Sequence, residues 1–94
     1  MRVRVTYSAP GMEVDEVFSG ATAEDVVSAM KRRVASEAGF AVRLLIGSMS
    51  PLGFAQEVVR RYNREKGRSL SIPSSCEEFL TAGESEGIVT FVER

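Results

Sequence analysis

The chain contains no histidine and no tryptophan, and only one of its 94 residues is cysteine. Without histidine there is no usual general base, no usual zinc ligand and no Ser-His or Cys-His nucleophile pair. The lone thiol, Cys76, cannot close an intramolecular disulfide, which agrees with a reducing compartment. No apolar run approaches the roughly 20 residues that cross a bilayer. The opening "MRVRVTYSAPG" alternates charge with valine and has no signal-peptide core. A cytoplasmic protein without membrane contact is therefore expected.

Other chemistry is excluded by spacing. The glycines of "GSMSPLG" fit neither G-x-x-x-x-G-K-[ST] nor G-x-G-x-x-G, and Asp and Glu are not spaced as in a calcium loop. Adjacent carboxylates occur at Asp15-Glu16, Glu24-Asp25 and Glu77-Glu78. Sequence neighbours point to opposite faces of a strand or lie about 100° apart on a helix, and two of these pairs begin expected helices, where the dipole accounts for them. No catalytic residue, metal or cofactor is expected, and the chain is not expected to be an enzyme. Cys76 lies near a helix start, which lowers a thiol pKa, but it has no histidine to act with; a half-buried structural thiol is the expectation.

What is present is a globular composition, 44% hydrophobic and 27% charged. A chain of this length suits one domain over residues 1–94, burying roughly 60 to 65% of its unfolded surface. Net charge is −1 but unevenly distributed: residues 31–68 hold nine Lys or Arg against three Glu, the first thirty two against five, and the last twenty-six one against five. A basic middle between acidic ends can face an acidic partner, pair with its own ends, or drive head-to-tail self-association.

In "MRVRVTY", Met1, Val3, Val5 and Tyr7 share one face, the period of a half-buried strand. Pro10-Gly11 suits the centre of a type II turn, so a hairpin is expected, with Met12 to Phe18 as its return strand. That pairing sets Val14 opposite Tyr7 and Phe18 opposite Val3 but leaves Glu16 facing Val5; a bulge at Asp15-Glu16 that turns Val17 inward is the expected remedy. Next comes a helix from Ala23, capped by Thr22, with Glu24 and Asp25 in its first turn. Its buried face would be Ala23, Val26, Val27, Met30, Val34 and Ala38, and Gly39 would end it in the left-handed conformation.

The short, branched run "FAVRLLIG" predicts a third strand. Ser50-Pro51 marks a new helix start, Phe54, Val58 and Tyr62 form its apolar stripe, and Gly67 closes it. "RSLSI" reads as a short strand and "PSSCEEFLTAG" as a short helix with Ser74 as cap, Glu77 in the capping-box position, and Phe79 and Leu80 in the core. "GIVTFVER", apolar on both faces, predicts a strand central in a sheet.

"MRVRVTY" resembles the first strand of ubiquitin-like domains, "GATAEDVVSAMKRRV" is similar to the helix of Ras-association domains and small sulfur carriers, and "LTAGESEGIVTFV" resembles the acidic turn and last strand of the sulfur carriers. Together they cover about two-thirds of the chain and give the order of a ubiquitin-like β-grasp. The fold expected is thus α+β: N-terminal β-hairpin, main helix, third strand, inserted amphipathic helix, short helix and central C-terminal strand. Modifiers and sulfur carriers act through a C-terminal Gly-Gly, whereas this chain ends "TFVER", so conjugation and sulfur transfer are not expected. Ras-association domains offer the hairpin's second strand to a partner strand. Such domains meet an acidic partner with basic residues, whereas here that edge carries Glu13, Asp15 and Glu16, so Ras-type recognition is not expected and these acids are read as guarding the edge against aggregation.

The remaining candidate is the basic stretch of the inserted helix. Arg60, Arg61, Arg64 and Arg68, extended by Lys31, Arg32 and Arg33, are the expected partner-binding residues. The function expected is a non-enzymatic protein–protein interaction module or accessory subunit that contacts an acidic partner with this surface. The same cations, with Tyr62 as a stacking platform, also suit nucleic acid. A solvated face, or self-pairing with the acidic ends, is the third reading.

Overall fold

The computed structural model describes residues 1–9 and 12–94. Strand β1 (Arg2–Ala9) and strand β2 (Met12–Ser19) pair antiparallel, with Val3 opposite Phe18, Val5 opposite Glu16 and Tyr7 opposite Val14. This is the register the alternation implies. The expected Pro10-Gly11 turn lies outside the described residues. Strand β3 (Val89–Glu93) pairs antiparallel with the other side of β1, giving a three-stranded sheet of order β2-β1-β3.

Helix α1 (Ala23–Glu37) follows the hairpin, then α2 (Phe40–Gly47), α3 (Pro51–Lys66) and α4 (Cys76–Ser85). The fold is α+β. One face of the sheet is covered by α1 over β2 and α4 over β3, while α3 packs on α1 and α4. Val3, Val26, Val27 and Leu80 are fully enclosed at this junction, joined by Val5, Phe18, Phe54, Ala55, Val59, Phe79 and Val89. The other face of the sheet is polar, and across it Arg4 makes a two-pronged pair with Asp15, both contacts at 2.9 Å.

Local chemistry explains the helix starts. Thr22, Ser50 and Ser75 each accept a hydrogen bond from the backbone N–H three residues on, at Asp25, Gly53 and Glu78. Each satisfies a donor that an α-helix leaves without a partner. Pro51 occupies the first turn of α3, and Gly67 ends that helix at φ 63°, a conformation that favours glycine. Gly20 permits the chain to close up before α1: a Cβ there would sit 2.6 Å from the Asp25 Cβ and 2.9 Å from the Val26 backbone nitrogen.

Several expectations are corrected. The run "FAVRLLIG" is helix α2, not a strand; a short apolar run cannot distinguish the two by periodicity, and Ala41, Leu44 and Leu45 are good helix formers. Gly39 does not end α1 in the left-handed region, since its φ is −67° and it serves as the N-cap of α2. The end of α1 is closed from outside: Arg43 donates to the carbonyls of Ala35 and Ala38, both at 3.3 Å. Val34 is exposed rather than part of the buried face.

No bulge occurs at Asp15-Glu16, and Val17 stays outward. Glu16 remains on the covered side of the sheet because Arg33 of α1 reaches its carboxylate at 2.9 Å. The irregularity falls instead between Arg2 and Val3, against β3. "RSLSI" is not a strand; the Asn63 amide donates to the Leu70 carbonyl and accepts from its N–H, both at 3.0 Å, supplying the two bonds a neighbouring strand would make. The cap of α4 is Ser75, one residue later than expected, because the Glu78 carboxylate takes hydrogen bonds from both the N–H and hydroxyl of Ser74. Strand β3 lies at the edge of the sheet rather than its centre, and Val92 is exposed because it lies on the face that no helix covers.

Candidate functional site

Helix α3 turns about 100° per residue, so Phe54, Ala55, Val59 and Tyr62 fall within one arc of about 140° and Arg60, Arg61 and Arg64 within another of about 100°, while Arg68 lies beyond Gly67, outside the helix. The structure buries the first three of the apolar set and exposes all four arginines. Val58, expected in the stripe, falls between Phe54 and Tyr62 around the helix yet is exposed. The helix alone brings Arg60, Arg61 and Arg64 together; Arg68 follows Gly67 and turns to Glu86, the carboxylate that Tyr62 also contacts.

Their surroundings differ. Arg60 lies 3.4 Å and Arg64 4.0 Å from the two oxygens of Glu57, which occupies the same arc. Arg61 has no carboxylate within ion-pair distance among the described residues. Three cations against Glu57 within the arc, with Glu65 exposed about 40° beyond it, leave this part of the helix net positive. Exposed pairs of this length contribute little, about 0 to 1 kcal/mol, so Glu57 does not hold either arginine against a stronger anion. Arg68 is tied at the far end, 2.8 Å from Glu86 of the α4 terminus.

Lys31, Arg32 and Arg33 do not extend this face as one patch, because consecutive helical residues diverge by about 100°. Lys31 donates to the Met49 carbonyl at 2.8 Å, Arg33 bridges Glu16 and Glu37, and Arg32 points to solvent. The charge imbalance along the chain is therefore partly closed inside it: the basic middle meets the acidic first segment at Arg33–Glu16 and the acidic last segment at Arg68–Glu86.

Tyr62 is occupied. Its hydroxyl donates to Glu86 at 2.9 Å, its ring lies 6.3 Å from that of Tyr7, and Lys66 stands 5.4 Å over Tyr7. The Glu86 carboxylate holds the Tyr62 proton and raises its pKa, an effect reinforced by burial. Cys76 is buried in the first turn of α4; burial raises its thiol pKa, and the nearby carboxylates of Glu24 and Glu77 act in the same direction. The helix start thus does not yield a thiolate.

A groove of about 420 Å³ runs between residues 70–74 and α4. Its two carboxylates are both engaged, Glu78 by Ser74 and Glu86 by Tyr62 and Arg68. Ser74 holds the Glu78 carboxyl below its ordinary pKa. With its carboxyl held low, Glu78 is not poised as a proton donor at neutral pH, and no group of three or more His, Cys, Asp or Glu that could hold a metal occurs among the described residues.

The feature that sequence reasoning missed is on α2. Phe40, Val42, Leu44 and Leu45 are 76%, 52%, 61% and 60% exposed, and Ile46 alone reaches the core. The signal was present in "FAVRLLIG" as an apolar run without alternation, but the strand expectation assigned it to the interior. No helix among the described residues is long and apolar enough to cross a membrane. No family model matches the chain, and neither the curated proteins nor the solved structures contain a match.

Proposed function

We propose that the chain is a non-enzymatic protein–protein interaction module, an accessory subunit that receives an acidic partner on the outward face of α3. The observation that carries this reading is the arc of Arg60, Arg61 and Arg64, exposed together with only Glu57 among them. Charge steers the encounter, and guanidinium groups then exchange the weak contact with Glu57 for two-pronged bonds to the partner's carboxylates. The finer fold reading, a ubiquitin-like scaffold, rests on the hairpin crossed by α1 and on the return of the last strand to β1; helical α2 and the antiparallel direction of β3 confine that likeness to part of the chain. A cytoplasmic setting is supported by the single buried thiol.

The test is a fluorescence-anisotropy titration with a labelled oligoglutamate peptide and a labelled oligonucleotide at roughly 50 and 200 mM salt, where phosphate binding weakens steeply. Saturable peptide binding that falls at least about tenfold in R60E/R61E/R64E, with an unchanged melting curve, is expected. Equal peptide binding by the variant sinks the proposal. Binding of the oligonucleotide alone transfers the face to nucleic acid, the competing reading, which the engaged Tyr62 already deprives of its stacking ring.

A further inference from the structure

The groove between residues 70–74 and α4 has an extended backbone along one wall and a helix along the other. The extended segment is held from behind by α3: the Asn63 amide satisfies both main-chain groups of Leu70, and Gln56 donates to the Pro73 carbonyl at 3.0 Å. Between these two anchors Ser71 and Ile72 are exposed, and their main-chain groups make no hydrogen bond within the chain among the described residues. An extended segment with unmet N–H and carbonyl groups is a template to which another strand adds. Because Asn63 and Gln56 already brace this one, a partner has little of it left to order.

Shape and charge specify what lies there. The apolar lining is Leu70, Ile72, Pro73 and Ala82, with Ile72 40% exposed. Along α4 the lining runs from Glu78 to Glu86, about 12 Å at 1.5 Å per residue, the span of roughly four residues of extended chain. From Ser69 to Val92 the only charged residues are Glu77, Glu78, Glu84 and Glu86. Arg94 takes Glu84 and Arg68 takes Glu86, whereas Glu78 has no cation within ion-pair distance among the described residues. The N–H and hydroxyl of Ser74 both bond its Oε2, each at 2.6 Å, which favours the ionised carboxylate and leaves Oε1 to a further donor. An apolar floor beside an unneutralised carboxylate matches an extended chain with alternate apolar side chains and a cation between them, whose methylene stem lies along the wall. The same carboxylate repels an acidic strand.

We propose that this groove binds a basic, extended peptide segment of a partner protein, which adds as a strand along Ser71 and Ile72 and sets a lysine or arginine against Glu78. The site is separate from the arginines of α3 and does not depend on the acidic-partner reading. The probe is the dye-labelled pentapeptide Val-Lys-Val-Lys-Val, with Val-Glu-Val-Glu-Val as its acidic counterpart, each titrated against the full chain by fluorescence anisotropy at roughly 50 mM salt, where screening is modest. Saturable binding of the basic peptide alone is expected. E78Q keeps an acceptor for Ser74, and is expected to leave the far-ultraviolet spectrum unchanged while weakening that binding at least about fivefold. I72S, which removes the exposed apolar side chain of the floor, is expected to weaken it by a similar factor, and R60E/R61E/R64E to retain it. In a nitrogen–proton correlation spectrum the amides of Ser71 and Ile72 are expected to move as the basic peptide is added. No saturable binding, equal binding of the acidic peptide, or binding that E78Q and I72S both leave unchanged overturns the proposal. Movement centred on Met12 to Ser19 also overturns it and places the peptide on the edge of β2. Spermidine moving the same amides with equal affinity overturns it as well, since a small cation then suffices.

Discussion

Helices α2 and α3 are neighbours in sequence and are built on opposite terms. Helix α3 carries its instructions within it: Ser50 caps it, Pro51 opens it, Gly67 closes it, and its apolar and basic residues lie on separate sides. Helix α2 has no side-chain cap, no acidic residue in its first turn and no polar side; its one charge serves α1. A helix of eight residues is far too short to persist on propensity alone, so α2 depends on what it touches. Within the chain that is chiefly α1, and Ile46 is the one residue α2 sends into the core. The contrast shows that hydrophobicity and burial are separate properties, and that a segment rich in the first and poor in the second marks a surface awaiting cover.

Two phenylalanines put this contrast to its hardest test. Phe54 of α3 is 6% exposed, and truncating a buried ring removes its transfer energy and leaves a cavity; Phe54→Ala is expected to cost about 3 to 5 kcal/mol. Phe40 of α2 is 76% exposed, and Phe40→Ala is expected to cost less than about 1 kcal/mol, as for surface changes generally. Urea denaturation followed by circular dichroism gives both values. Equal losses break the comparison, since they place Phe40 in the monomer's core.

The same two helices mark what the sequence makes legible. Thr22, Ser50-Pro51 and Gly67 could be read because caps are local chemistry, and the hairpin register because alternation has a period of two. Arg60, Arg61 and Arg64 of α3 could be placed on one arc by spacing alone, whereas Arg68 lies past Gly67, where helical spacing no longer applies. What could not be read depends on distant residues. Glu16 faces inward without a bulge because Arg33, 17 residues away, reaches it. "RSLSI" is satisfied by the Asn63 amide instead of by a strand. Lys31 and Arg33 were grouped with the arginines of α3 by sign of charge, and only the packing shows that each is directed at a different neighbour.

A smaller effect sharpens the comparison at the start of α3. The Ser50 hydroxyl accepts from the Gly53 N–H at 3.0 Å. Ser50→Ala removes that acceptor and is expected to lower stability by about 1 kcal/mol, read as a shift of the urea midpoint at constant slope. No shift would mean that Pro51 alone fixes the entry to the helix.

The smallest expected effect has the opposite sign and lies on α2. Gly39 occupies the N-cap with φ −67° and ψ 167°, a conformation any residue adopts, and a Cβ there meets nothing within 4 Å. Gly39→Ser supplies the acceptor that α2 lacks, within reach of the Val42 N–H, and narrows the unfolded ensemble at no steric cost. A gain of about 0.5 kcal/mol is expected in the urea midpoint of the dilute chain. A loss of stability instead would show that α2 needs freedom at Gly39, and that its helix is set by the neighbour it meets rather than by its own first turn.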